Sequence, residues 1–199
     1  MRATEVLKGE HRVIEQVLDC LERMANRCEH EGRLDPGPAR DAVTFFRGFA
    51  DRNHHGKEEQ QLFPMLEDRG FSPEAGPTAV MRGEHVDGRA LVEQLEGAID
   101  GAALGDESAV RGFVVWSRTY VQMLRAHIEK EDTCLFPMAD RVLREADQRE
   151  LLLRFGRGDA TPADRERFLR MADALADRFG VPRAPRNWVA WRQTCVQAG

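Results

Sequence analysis

One stretch of this chain occurs twice, and the repeat limits the possible folds more than any other feature. Residues 54–65 read His-His-Gly-Lys-Glu-Glu-Gln-Gln-Leu-Phe-Pro-Met, and residues 127–138 read His-Ile-Glu-Lys-Glu-Asp-Thr-Cys-Leu-Phe-Pro-Met. A Gly-Glu-His triplet precedes each copy, at residues 9–11 and 83–85. The chain is therefore expected to contain two copies of one unit, with one histidine on a first element and His-x-x-x-Glu on a second.

The spacing within each copy matches one turn of an α-helix. Residues four apart lie on one helix face, so His54 should project beside Glu58, and His127 beside Glu131. A single His-x-x-x-Glu is more often an exposed face with hydrogen bonds between neighbouring turns. Two copies at matched positions, each followed by an apolar stripe, instead favour metal ligands facing inward from two helices.

Apolar residues recur at three- and four-residue intervals, the pattern of amphipathic helices. The predicted helices cover residues 3 to about 30, 38 to 68, 78 to 102 and 108 to 144. Thr4 is the expected N-cap of the first. Gly- and Pro-rich loops separate them, and strand patterns are absent. The expected fold is all-α: an up-down-up-down four-helix bundle at residues 1–145, then additional C-terminal helices and a tail at 146–199. Thr161 and Pro162 should open the last helix.

Helix geometry brings the histidines to one level of such a bundle. At a rise of 1.5 Å per residue, His11, His54, His85 and His127 lie roughly 24–33 Å from the loops that join their helix pairs. They therefore converge on one layer, and a single shared site is expected.

The candidate metal ligands are His11, His54, Glu58, His85, His127 and Glu131. Zinc usually takes about four ligands, whereas two sets of three, each with one carboxylate, suit two metals held close together. Nitrogen and oxygen donors without thiolate suit iron or manganese, although zinc and copper stay open. If each glutamate bridges the metals, coordination positions remain for solvent or an exogenous ligand, and the centre is reactive.

This series of motifs resembles the hemerythrin-like, HHE cation-binding family. The resemblance rests on Glu-His, then His-x-x-x-Glu-x-x-x-Leu-Phe-Pro, both occurring twice and in family order, and it covers residues 5 to about 142. It implies a four-helix bundle with a non-heme di-iron centre, two iron ions that zinc or manganese can replace, and the ligands named above. It also implies contact with O₂, peroxide or NO.

One departure from that family concerns the third helix. Oxygen-carrying hemerythrins have two histidines one turn apart there, but the positions four residues from His85 are Met81 and Arg89. Reversible O₂ carriage is therefore the least favoured function of the family. The side chains that remain to replace the missing histidine are His55, Glu10, Glu59 and Glu84. His55 is not expected to be a ligand, because it lies about 100° round an α-helix from its neighbour.

Other side chains near the motifs have less specific roles. Tyr120 either lines the metal pocket or, as the favoured alternative, is an ordinary core tyrosine. Cys134 is expected to be buried and inert. Phe46, Phe49 and Trp116 are expected to form the dry core beside the site.

Composition excludes several classes of protein. The net charge is −5, which argues against a nucleic-acid partner, and no apolar run is long enough for a membrane span. The start of the chain is amphipathic and does not read as a signal peptide. The cysteines, at positions 20, 28, 134 and 195, form no C-x-x-C pair, so a cytoplasmic location is expected. Trp188 and Trp191 in the tail could pack on the bundle or form a homodimer contact.

Two functional classes follow from these observations. The first is a di-iron protein that binds or senses O₂ or reactive oxygen and nitrogen species without turnover. The second is a di-iron oxidoreductase with peroxidase- or catalase-like activity. A bundle with a buried polar layer and no metal ranks last, because unpaired buried carboxylates would make that layer costly.

Overall fold

The structure, a computed structural model, describes residues 1–157 and 161–186. These residues are helical or irregular, with no β-strand among them. The α-helices are α1 (Ala3–Glu31), α2 (Pro36–Phe45), α3 (Phe63–Glu67), α4 (Pro77–Leu104), α5 (Glu107–Lys130), α6 (Phe136–Val142), α7 (Glu145–Arg157) and α8 (Pro162–Phe179). The π-helical segments are π1 (Phe46–His55), π2 (Glu58–Leu62) and π3 (Glu131–Leu135). No helix in these ranges is both long enough and apolar enough to cross a membrane.

The first helix begins earlier than its expected cap. Arg2 is the N-cap residue, and its backbone N–H donates to the carboxylate of Glu5 at 2.8 Å. The prediction that Thr4 caps α1 is therefore wrong. Thr4 is buried inside the first turn, and its hydroxyl donates to Asp140 at 2.9 Å, which ties α1 to α6. Gly32, with φ of 65°, ends α1 in the left-handed conformation that glycine adopts readily.

The long helices form one contiguous core. α4 packs along α5, α5 packs on α1, and α2 packs on α4. Phe46 and Phe49 are buried in this core as predicted, whereas Trp116 is only partly buried at its edge. Cys134 is exposed, so the prediction of a buried thiol is wrong. The π3 segment explains the error, because its wider turn rotates Cys134 away from the face that an α-helix would give it.

The C-terminal helices pack on the same core. Thr161 caps α8, with its hydroxyl accepting from the N–H of Asp164, which confirms the predicted helix start. The ring of Phe168 fills the space over Gly48, where an added Cβ would lie 2.1 Å from its Cζ. The division of the chain at residue 145 stays a prediction, and Trp188 and Trp191 lie outside the described residues.

Candidate metal centre

The structure brings the six predicted ligands together at one buried place. Two groups of side chains each have ligand atoms within 4.8 Å of one another. The first cluster is His11, His54, Glu58 and Glu131, and the second cluster is His55, Glu58, His85 and His127. All of these side chains are buried. Because Glu58 belongs to both clusters, the two form a single centre.

Glu131 lies between histidines of different clusters. Its Oε2 is 3.1 Å from Nε2 of His11 and 3.3 Å from Nε2 of His127. The contact with His11 connects π3 to α1. The contact with His127 lies within one turn of the chain, where α5 continues into π3. One carboxylate therefore faces both parts of the centre.

Glu58 holds the equivalent position in the other copy of the motif. Its Oε1 is 3.5 Å from Nε2 of His54, and its Oε2 is 3.6 Å from Nε2 of His85. The two carboxylates thus face the imidazoles in matching ways, as the sequence repeat predicts.

Carboxylates outside the centre orient the histidines through Nδ1. The pairs are His11 with Asp132 (2.8 Å), His54 with Glu10 (3.0 Å), His85 with Glu59 (2.7 Å) and His127 with Glu84 (2.8 Å). A carboxylate at Nδ1 favours the tautomer with its hydrogen there, so the Nε2 lone pair faces the centre. Metal-ligating histidines commonly have a partner of this kind.

These contacts decide the roles of three acids that were candidates for a missing ligand. Glu10, Glu59 and Glu84 each accept a hydrogen bond from a histidine and lie outside both clusters. The orienting role of these acids was not predicted from the sequence. The signal for it was present, because an acid precedes the histidine in each Gly-Glu-His triplet and another follows the glutamate in each His-x-x-x-Glu motif.

The π1 segment brings a fifth histidine into the centre. The N–H of Gly56 donates to the carbonyl of Asp51, five residues back, so the backbone turn is wider than in an α-helix. Both His54 and His55 are consequently buried. The ring of His55 stacks on that of His85, with centroids 3.9 Å apart. The expectation that His55 is not a ligand assumed α-helical geometry, whereas the structure places its imidazole in the second cluster.

The Leu-Phe-Pro sequence helps to maintain the π register after each glutamate. In π2 the N–H of Phe63 donates to the carbonyl of Glu58, five residues back. The next residue is Pro64, which has no N–H, so the carbonyl of Glu59 loses its helical donor. The guanidinium of Arg82 donates to that carbonyl at 3.2 Å instead.

The second copy uses the same arrangement. The N–H of Phe136 donates to the carbonyl of Glu131, and Pro137 follows it. The carbonyl of Asp132 accepts from Nζ of Lys8 at 2.9 Å. Lys8 directly precedes the triplet at residues 9–11, and Arg82 directly precedes the triplet at residues 83–85, so the repeat encodes the backbone geometry as well as the ligands.

Burial and neighbouring charges shift the pKa values of Glu58 and Glu131 in opposite directions. Burial raises the pKa of Glu58 well above its usual value, and the nearby Glu131 carboxylate adds to the effect. Burial also opposes ionisation of Glu131, but His127 and His11 hold its pKa well below the usual value. Burial likewise opposes protonation of His11, yet Asp132 and Glu131 raise its pKa to about 9. Burial instead lowers the pKa of His54 to about 4 and lowers those of His55 and His85, so these imidazoles are neutral, the form that binds a metal.

The donor atoms of the centre fit a metal better than they fit one another. Six of these donor atoms meet no hydrogen-bond partner in suitable geometry among the described residues. They are both carboxylate oxygens of Glu58, both of Glu131, and Nε2 of His11 and of His54. Most buried polar atoms in folded proteins are hydrogen-bonded, and leaving carboxylate oxygens unpaired is costly. A cation at each cluster would satisfy these atoms.

The second cluster gives an independent indication of the same kind. Nε2 of His85 and Nε2 of His127 lie 3.2 Å apart. With their hydrogens on Nδ1, both atoms direct lone pairs towards each other, and a cation stabilises that arrangement.

A buried centre of imidazoles and carboxylates, built by a repeated motif in an all-helical protein, defines a helical metal-binding domain as its class. A sequence model of the Hemerythrin HHE cation binding domain matches residues 2–139. The chain belongs to this family, which confirms the resemblance in its motifs.

Curated relatives share parts of the chain. An uncharacterised protein of Mycobacterium tuberculosis is 28% identical over 176 residues, which is 88% of this chain and 68% of the relative. The iron-sulfur cluster repair protein YtfE of an Enterobacter species is 32% identical over 93 residues, or 44% of this chain and 40% of that protein. YtfE of Citrobacter koseri matches to the same extent. No solved structure matches the chain.

Proposed function

We propose that this protein binds two iron ions, one at each cluster, and that the centre interacts with O₂ or with reactive oxygen or nitrogen species. The observation that carries the proposal is the set of buried donor atoms that have no suitable hydrogen-bond partner among the described residues. The family is a cation-binding one, and several relatives are iron-sulfur cluster repair proteins, which supports iron as the metal. We infer that the long helices run up-down-up-down around this centre.

Each cluster offers a donor set suited to one metal. His11 and His54 would hold the first ion, and His55, His85 and His127 the second. Glu58 and Glu131 each face histidines of both clusters, so both are suited to contact both ions. The absence of thiolate and the mixture of nitrogen and oxygen donors agree with iron.

The protein supplies orientation and exclusion of water to this centre. Bound iron would supply one-electron chemistry with O₂, peroxide or NO. The acids at Nδ1 keep the imidazoles fixed and increase their basicity. The side chains of the first cluster are buried, whereas His55 and His85 of the second cluster line a cavity. An exogenous ligand would therefore approach the second cluster.

Sensing without turnover and peroxide turnover are the two forms of this function. The cavity beside the second cluster favours keeping the oxidoreductase as a candidate, because turnover needs access for a substrate. A steady-state peroxide assay on the iron-loaded chain separates the two. Because His55 lies in the second cluster, the centre has a fifth histidine, and O₂ carriage is less disfavoured than the residues four away from His85 indicate.

Metal content after mutation tests the proposal. The chain reconstituted anaerobically with Fe(II) should contain two metals per chain by elemental analysis. Glu58→Ala should reduce the content to well below one, because this residue serves both clusters. The matched control is Glu145→Ala, which removes a carboxylate whose side chain is 94% exposed. One metal or none in the native chain, or two in Glu58→Ala, would contradict the dinuclear centre.

A further inference from the structure

A cavity of about 290 Å³ lies between π1, α4 and α5, next to the second cluster. Its inner wall includes the imidazoles of His55 and His85, whereas no residue that belongs only to the first cluster lines it. Protein interiors are normally packed with few voids larger than a water molecule. An opening of this size beside a group of reactive side chains is therefore typical of a ligand pocket.

The cavity is much larger than O₂, peroxide or NO requires. An apolar cavity of about 150 Å³ is enough to bind benzene, and a water molecule takes about 30 Å³ of liquid volume. The present cavity has nearly twice the first volume and almost ten times the second. Diatomic ligands would leave most of it to solvent, so its size fits an organic molecule with about one ring.

Apolar side chains form much of the wall. Phe46, Val92 and Leu124 are buried core residues that line the cavity, and Tyr120 packs on Phe46 with ring centroids 4.9 Å apart. Gly88 has no side chain to occupy the cavity. The space there is narrow, because an added Cβ would lie only 3.2 Å from Cε of Met123. The polar groups at the inner end are the imidazoles and the tyrosine.

The charges around the cavity balance one another. The lining contains three guanidinium groups and three carboxylates. Arg89 donates to Asp51 and to Glu59, both at 2.8 Å, and Arg47 pairs with Glu96 at 2.7 Å. A charged ligand would meet no excess of the opposite sign and would disturb these pairs. The wall therefore favours an uncharged ligand.

We propose that this cavity binds an uncharged organic molecule of about one ring, with an apolar body and a single hydroxyl-type polar group. The apolar body would pack on Phe46, Val92 and Leu124, and the polar end would face His55, His85 and Tyr120. This binding goes beyond the proposed reaction with small oxygen or nitrogen species. It does not depend on iron, so it is testable separately from the metal centre.

Fluorine NMR of 4-fluorophenol tests the site in the full chain, both as purified and loaded with diamagnetic zinc. Saturable binding with a Kd below about 1 mM is expected, because the ligand fills an existing apolar site. The anion 4-fluorobenzoate should bind at least tenfold more weakly. Absence of saturable 4-fluorophenol binding overturns the proposal, as does equal or tighter binding of 4-fluorobenzoate.

Two glycines of α4 provide a matched pair of variants. Gly88→Leu would place its side chain in the cavity and should weaken 4-fluorophenol binding at least tenfold. Gly83→Leu is the control, since a Cβ there meets no atom within 4 Å, and its affinity should equal that of the native chain. If circular dichroism shows that Gly88→Leu does not fold, Val92→Trp fills the same cavity. Native affinity in the folded cavity-filling variant would place the binding elsewhere and overturn the proposal.

Discussion

The two copies of the motif orient their histidines alike but contact different surroundings. In the first copy, Glu10 accepts from His54 and pairs with Nζ of Lys57 at 2.5 Å. Arg165 of α8 lies 3.4 Å from the same carboxylate. All four side chains are buried, so the C-terminal part of the chain reaches the residue that orients a candidate ligand.

The second copy repeats this contact at the surface. Glu84 accepts from His127 and pairs with Lys130, but these acid and lysine side chains are 21% and 45% exposed. The cavity beside the second cluster lies on this side, and Glu84 is part of its lining. The same motif thus forms a closed half under α8 and an accessible half near the cavity.

The difference shows that the repeat determines which groups pair, whereas packing determines the strength of the pairing. Burial opposes ionisation of Glu10, yet Lys57, His54 and Arg165 hold its pKa far below the usual range. Burial also opposes ionisation of Glu84, and its pKa is lowered mainly by Lys130 and His127. Charges interact more strongly away from water, so the closed half should be more sensitive to mutation.

The largest effect is expected at the metal centre. His55→Ala should reduce the iron content from two per chain towards one, because it removes an imidazole from the second cluster and leaves the first intact. Elemental analysis after anaerobic loading measures the change. His30→Ala, at the exposed end of α1, is the control and should keep both metals. Unchanged loading in His55→Ala would show that this imidazole only packs on His85.

A smaller effect is expected from removing the two orienting acids. In the metal-free chain, Glu10→Ala should lower the free energy of unfolding by about 3–5 kcal/mol, since it removes the anion from a buried ion pair. Glu84→Ala should lower it by about 1 kcal/mol or less, because its partner lysine is partly exposed. Urea denaturation measures both changes. Equal losses would mean that α8 does not make the two halves energetically different.

An effect smaller than that of Glu10→Ala is expected where α8 packs on π1. Gly48→Ala should lower the free energy of unfolding by about 1–3 kcal/mol, because the added methyl group would overlap the ring of Phe168. Gly97→Ala in α4 is the control, with no atom within 4 Å of the new Cβ, and should be stabilising by about 0.5–1 kcal/mol. Thermal unfolding followed by circular dichroism distinguishes them. A stabilising Gly48→Ala would show that α8 moves aside without cost.

The sequence predicted the helices and the convergence of His11, His54, His85 and His127 because both depend on periodicity and repetition. The observed α1, Ala3–Glu31, and α4, Pro77–Leu104, lie within a few residues of the predicted bounds. The orienting acids were visible as a repeated pattern, but their role was not predicted. Which atom of a histidine faces a carboxylate depends on the tertiary structure, which a spacing argument does not contain.

The π segments could not be predicted from spacing, because hydrogen bonds to the fourth and to the fifth residue back fit similar apolar patterns. The positions of His55 and Cys134 were wrong for that reason. The contact between Arg165 and Glu10 was also beyond reach, since it joins residues that are distant in the chain and belong to no shared motif.

The π1 segment also makes the set of candidate ligands depend on the number of residues within that segment. Its wider turns accommodate His54 and His55 on the same side, where an α-helical backbone would separate their directions. We expect that deleting one residue within 46–55 would bring the segment closer to α-helical hydrogen bonding and turn one of the two imidazoles outward. Mutant libraries of single-residue deletions in this segment therefore explore centres with different numbers of histidines, which substitution libraries of constant length do not reach.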